Sequence, residues 1–272
     1  MGNRPPLLTL RNLRPGIPIP YQLRTSYLPY VIILLVISLL SACSEKAELA
    51  QAGTISDYMP LQAGRSLTYR LDSTLYPAQG TSTLLRSHVV RDRVVGEVRD
   101  QQGRSAWRIV RALQNPADTN KWADREQFLA IPSGNTLEWV EDNLRTIRLV
   151  NPIRDGYTWE GNRFINSSTD PARQYLDGWT FTYLEAGKAW RLGDKSFPNT
   201  LTVRQQEDRV GNPADRSRYS SIDVAWEVYA KGIGLVYREV RHEVWQPPNA
   251  GSSTGYFEPG SFSLTLSLVS NN

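Results

Sequence analysis

The chain has 272 residues, with 31 Lys and Arg against 27 Asp and Glu, for a formal charge of +4. Residues 1–42 contain Arg4, Arg11, Arg14 and Arg24 and no acid, so the chain beyond them is formally neutral, which removes support for a general nucleic-acid or polyanion role. Eight Trp and thirteen Tyr exclude a disordered chain and supply core for one large β domain or two small ones.

Residues 1–27 are basic and Pro-rich. Leu28 to Ala42 follow as an apolar run of about 15 residues, short of the ~20 that a membrane-spanning helix needs. A charged start, a short apolar stretch and a small-residue exit describe a secretory signal over 1–42. The exit, Leu40-Ser41-Ala42-Cys43, resembles the lipobox of bacterial lipoproteins. That resemblance implies cleavage before Cys43, acylation of its thiol and attachment to a membrane. Cys43 is the only cysteine, so it has no intramolecular disulfide partner, and a bare thiol would be a liability in an oxidising compartment. Ser44 after the cysteine implies, by the same resemblance, sorting to the outer membrane of the cell envelope. Residues 43–56 are small and polar, as expected of a flexible tether.

From residue 57 to 272 the pattern predicts a single antiparallel β domain. Ser66 to Leu71, Leu84 to Val98, Trp107 to Leu113, Thr136 to Val140 and Thr146 to Val150 alternate with period two. Trp179 to Leu184, Leu201 to Val203, Ile222 to Tyr229, Leu235 to Trp245 and Phe262 to Val269 continue it. Turn signals such as Asp100 to Gly103, Ser133-Gly134-Asn135, Asp177-Gly178 and Gly211-Asn212-Pro213 separate these runs. The expected class is all-β with at most one or two short helices: a curved antiparallel sheet, as a half-barrel or a sandwich. Lys121 to Leu129 is the best helical candidate. Leu67-Thr68-Tyr69 and Trp179 to Tyr183 form a faint internal echo, each expected to open one half of a two-part sheet.

Candidate chemistry is sparse. The two histidines, His88 and His242, lie in strand patterns, and alternation puts His242 on the face of Val236, Val240 and Val244, as a satisfied structural residue. No His, Cys and carboxylate spacing suits zinc, and no Asp-x-Asp run suits calcium, so no metal or cofactor is expected. Glu138/Glu141 and Glu239/Glu243 are the carboxylate pairs a glycosidase would need, but 27 acids in a strand-rich chain make such pairs unavoidable. Gly232 and Gly234 precede a strand rather than a helix and so predict a turn or bulge, not a phosphate loop. The eight Trp offer a carbohydrate platform only if exposed; most are expected in the core.

Three segments carry a resemblance to uncharacterised Gram-negative envelope lipoproteins. They are Tyr58-Met59-Pro60-Leu61-Gln62-Ala63-Gly64, then Leu149 to Asn162 (with Pro152-Ile153, Gly156, Trp159 and Gly161-Asn162), and Glu227 to Glu239 (with Tyr229-Ala230, Gly232-Ile233-Gly234-Leu235-Val236). The family pattern has Trp where Leu67 stands. A looser likeness is to lipoprotein-carrier half-barrels. The resemblance implies no activity. The leading expectation is a lipid-anchored, non-enzymatic envelope protein that binds or scaffolds, with an envelope protein or a hydrophobic or glycan ligand as partner. The alternative is a carrier or sensor of an acyl ligand on the concave face; a hydrolase finds no nucleophile–base set.

Overall fold

A computed structural model describes residues 52–251 and 253–272; the expected signal segment and Cys43 lie outside them. The described residues form thirteen strands in one antiparallel sheet, one short α-helix, α1 (Ile55–Tyr58), and two short 3-10 helices, Ser167–Thr169 and Pro171–Leu176. The first six strands run as a meander: β1 (Ser66–Leu75), β2 (Leu84–Arg99), β3 (Ser105–Asn115), β4 (Asp118–Ser133), β5 (Thr136–Glu141) and β6 (Leu144–Val150). A second meander follows: β7 (Thr158–Glu160), β8 (Thr180–Leu192), β9 (Lys195–Val210), β10 (Ser220–Ala230) and β11 (Gly234–Gln246). Strand β13 (Phe262–Asn271) lies between β1 and β11 and joins the two, while β12 (Tyr256–Phe257) pairs with the end of β11.

The sheet curls further than a half-barrel. Its two edges, β6 and β7, meet, and the Ile147 N–H donates to Gly161 O across the gap at 2.8 Å. Trp159 Nε1 donates to Ile147 O at 2.8 Å, and the Val150 N–H donates to the Tyr183 hydroxyl at 2.7 Å. The result is a nearly closed barrel of twelve strands in sequence around the wall. Gly161 is needed at this seam because a Cβ there would overlap the Phe181 ring.

Tight turns set the local register. Asp142 and Asn143 both have positive φ (48° and 59°) between the paired Glu141 and Leu144, which is a two-residue turn matched to the twist of a hairpin. Gly232, with φ 76°, sits in the turn between β10 and β11, and the hairpin's register shifts at Val228/Tyr229, where Val236 is the extra residue on β11, as the glycine spacing predicts.

Three expectations are corrected. Lys121 to Leu129 is strand, part of β4; its first half is exposed on both faces, so no alternation marks it. The echo does not open two halves: Leu67 to Tyr69 starts the first meander, but the second starts at β7, ahead of Trp179 to Tyr183. Residues 52–56, placed in the tether above, pack with the body. Ala52 N–H donates to Ile153 O at 2.9 Å, and α1 begins at Ile55 behind an N-terminal box of Thr54 and Asp57.

Candidate functional site

Inside the barrel, alternation delivers apolar side chains such as Leu137, Leu201, Val203 and Leu266, and across its middle a layer of charge. Asp92 on β2 and Arg111 on β3 face each other in register and form a bidentate pair, Nε to Oδ1 at 2.7 Å and Nη2 to Oδ2 at 2.8 Å. Glu227 on β10 and Arg238 on β11 are likewise register partners. Arg148 arrives differently: it is the extra residue of a bulge in β6 opposite Leu137/Glu138, so the bulge adds a cation to the lumen.

The three arginines and three carboxylates are spent on one another. Arg148 Nη2 donates to Glu141 Oε2 at 2.7 Å, and Nη1 stands 3.2 Å from Glu227 Oε1. Arg238 Nη1 donates to Glu141 Oε2 at 3.0 Å, and its Nε lies 3.5 Å from Glu227 Oε1. The Tyr229 hydroxyl donates to Glu227 Oε2 at 2.6 Å. The Arg148 guanidinium lies over the Trp139 ring and that of Arg111 over Phe128, 4.5 and 4.7 Å from their centroids. Glu126, at the exposed rim, adds a weak contact to Arg111 at 3.4 Å.

The electrostatics follow from burial and pairing. Burial raises the Glu141 carboxyl, but Arg238, Arg148 and Arg111 outweigh it and hold it down to about 2. Burial likewise lowers the Arg148 and Arg111 guanidiniums, and their carboxylate partners more than reverse this. Burial, then the Glu227 charge, pushes the Tyr229 phenol well above its ordinary value. The layer therefore pairs three guanidiniums with three carboxyl groups, with Glu227 wholly buried at 0% exposure.

Two cavities flank the layer, and Arg111, Trp139, Glu141, Arg148 and Arg238 line both. The smaller, about 40 Å³, has apolar walls from Leu67, Val94, Ile109 and Leu235 and is stoppered by Met59 and Pro60. That stopper is held by Gly232 N–H donating to Asp57 O at 2.7 Å and by Arg65 donating to the Gly232 and Ile233 carbonyls. The departure at Leu67 thus falls on this chamber's wall. The larger, about 240 Å³, is walled by Phe181, Val240, Leu264 and Leu266 and covered by the loop carrying Ile165, Tyr175 and Leu176. Asn162 Nδ2 clamps that loop by donating to Leu176 O at 2.9 Å.

The residues marked in the sequence fall elsewhere. Glu138 and Glu141 are split across β5: Glu141 is in the lumen, whereas Glu138 is held on the other face by Arg104 and Arg145 at 3.0 and 2.6 Å. Glu239 and Glu243 accept from Tyr237 and Tyr76, at 3.1 and 2.9 Å. His242 lies 2.6 Å from Asp223 through Nδ1 and stacks on Tyr175 at 4.1 Å; His88 is exposed. None of the eight Trp is in the exposed class: Trp139 and Trp179 are buried and the other six half-buried. Among the described residues no cluster of His, Cys, Asp or Glu is placed to hold a metal ion.

Sequence reasoning did not single out Arg111, Arg148, Glu227 or Arg238. A signal existed for Arg111, a cation in the inward phase of Ile109 and Leu113, and for Glu227 between Ala225 and Tyr229. For Arg148 there was none, because the bulge breaks the period at that residue.

No protein-family model and no curated protein matches the sequence. Among solved structures, the chain is similar to an exported protein with a YmcC-like fold from Bacteroides fragilis NCTC 9343. The identity is 12%, over 79% of this chain and 98% of that one, with a TM-score of 0.31. It is also similar to an outer membrane lipoprotein-sorting protein domain from Vibrio parahaemolyticus, at 10% identity over 77% and 85% of the two chains, with a TM-score of 0.19. Both scores lie below the level at which a shared function follows.

Proposed function

We propose that this chain is a lipid-anchored protein of the cell envelope, held at the outer membrane through Cys43, whose barrel serves binding rather than catalysis. The observation that carries the binding role is the pairing within the lumen. Its charges neutralise one another, and Glu141 is held far from the neutral-pH range in which a general acid or base works. Such a layer shapes and polarises a cavity, and Glu141 stays ionised within it. The anchor rests on the apolar run that ends at Leu40-Ser41-Ala42-Cys43. The acyl-carrier alternative has less support, because the charged layer interrupts what would have to be a continuous apolar trough.

Metabolic labelling with palmitate in a Gram-negative host tests the anchor. The wild type should incorporate label and fractionate with outer membranes; Cys43→Ala should do neither. Equal membrane retention of both forms, with no label in either, would refute it.

A further inference from the structure

We infer that the larger lumenal chamber is a binding site for a compact, neutral molecule with an apolar body and an amide-type edge, a hydrogen-bond donor beside an acceptor. This rests on reading the barrel as a binding module, and it assigns the ligand class. The deciding residue is Gln205. On β9, Arg204 pairs with Trp226 and Gln206 with Ala225, so Gln205 is the extra residue of a bulge, and its side chain lines the chamber. It is 6% exposed, yet its primary amide makes no hydrogen bond within the described residues, and neither amide atom is enclosed in the wall. The amide therefore opens onto the chamber. Trp139 Nε1 and Arg238 Nε also lack hydrogen bonds, but they are enclosed and offer the chamber nothing.

A polar side chain buried without a partner is uncommon, and a primary amide asks for two kinds, since its nitrogen donates and its oxygen accepts. A ligand with its own donor and acceptor side by side closes both bonds at once, whereas a ketone or an ether closes one. An anion is not the match: Arg111, Arg148 and Arg238 on the lining already hold Asp92, Glu141 and Glu227. Phe181, Trp179, Leu264 and Leu266 wall the rest and suit an aromatic or branched aliphatic body. The volume, about 240 Å³, exceeds the roughly 150 Å³ apolar cavity that suffices for benzene. Tyr175 and Leu176 cover one side and the charged layer bounds another, which excludes a long chain.

Isothermal titration calorimetry of the purified full chain with five probes tests this. Benzamide has a ring and the full amide edge, acetophenone only the acceptor, and ethylbenzene neither; benzoate adds a charge, and hexadecanoate is long. Benzamide should bind one to one, at least tenfold tighter than acetophenone, ethylbenzene or benzoate, with no saturable binding of hexadecanoate. Gln205→Met keeps the length of the side chain and removes the amide, so benzamide should fall to the affinity of ethylbenzene. Because nothing in the free protein holds that amide, the same variant should unfold at no lower urea concentration than wild type. A lower midpoint would mean that the amide is already partnered, and would overturn the assignment. Leu264→Trp, which fills the chamber, should abolish benzamide binding while the β circular dichroism signal is kept. Undiminished benzamide binding in either folded variant, benzamide no tighter than acetophenone or benzoate, or no binding of any probe to the wild type would also overturn it. None of these touches the anchor, which the labelling experiment reads separately. Preferred, saturable hexadecanoate binding would overturn the assignment together with the case against an acyl carrier.

Discussion

Arg148→Met keeps the apolar stem of the side chain and removes the guanidinium that stands 2.7 Å from Glu141 and 3.2 Å from Glu227. Glu141 retains Arg238 at 3.0 Å. Glu227, with no exposure, retains only the Tyr229 hydroxyl at 2.6 Å and an Arg238 Nε at 3.5 Å. A buried pair broken from one side costs about 3–5 kcal/mol, because the remaining charge is desolvated and uncompensated. In a domain of this size each kcal/mol moves the melting temperature by about 2–4 °C, so a fall on the order of 6–20 °C is expected. The double variant Arg148→Met/Glu227→Gln removes one charge of each sign and leaves Asp92–Arg111 and Glu141–Arg238 as two closed pairs, with the new amide oxygen still open to Tyr229. It should recover to within about 1 kcal/mol of wild type. Urea unfolding followed by tryptophan fluorescence and circular dichroism, with the slopes compared, measures both. A single variant within about 0.5 kcal/mol of wild type, or a double variant no more stable than the single, would refute the buried-layer account.

Two further outcomes are expected. The Glu141 carboxyl titrates at about 2 in the folded chain against an ordinary 4.5, so its contribution to stability is complete above pH 4.5 and is lost as pH falls from there through 2. Acid unfolding followed by circular dichroism should therefore be shallower over that window in Glu141→Gln, and an unchanged acid limb would contradict the pairing. Gly161→Ala places a methyl against Phe181 at the barrel seam, which should cost about 1–3 kcal/mol and speed amide exchange at Ile147, whose N–H bridges the seam; unchanged exchange there would mean the seam is not packed as described.

The strands were legible because most bury one face. Alternation from Ser66 to Leu71 and from Leu235 to Trp245 marks β1 and β11 directly. Strand β4 was not legible where Lys121 to Gln127, apart from the half-buried Trp122, meet solvent on both sides, for a strand with almost no buried face has no period. The turn at Asp142-Asn143 went unmarked although both residues favour positive φ, and with it went the hairpin that presents Glu141. Three segments singled out in the sequence border the lumen. Tyr58 to Gly64 stoppers the smaller chamber, Leu149 to Asn162 makes the seam and begins the cover of the larger one, and Glu227 to Glu239 supplies Glu227, Tyr229 and Arg238. What the sequence could not display was convergence: Asp92, Arg111, Glu141, Arg148, Glu227 and Arg238 come from six different strands and meet only when the sheet curls.

The position of β13 governs how that curl can come about. The two meanders each consist of neighbours in sequence and can zip by local hairpins, but β1 and β11 are bridged only by Phe262–Asn271, which follows all of them in the chain. Until that strand docks, both halves present a long bare edge, the kind of surface on which foreign strands add. Docking of that strand completes the wall of the lumen and carries a large loop-closure cost, a feature of slower-folding topologies. A chain interrupted before Phe262 would leave the edges of β1 and β11 unpaired and adhesive.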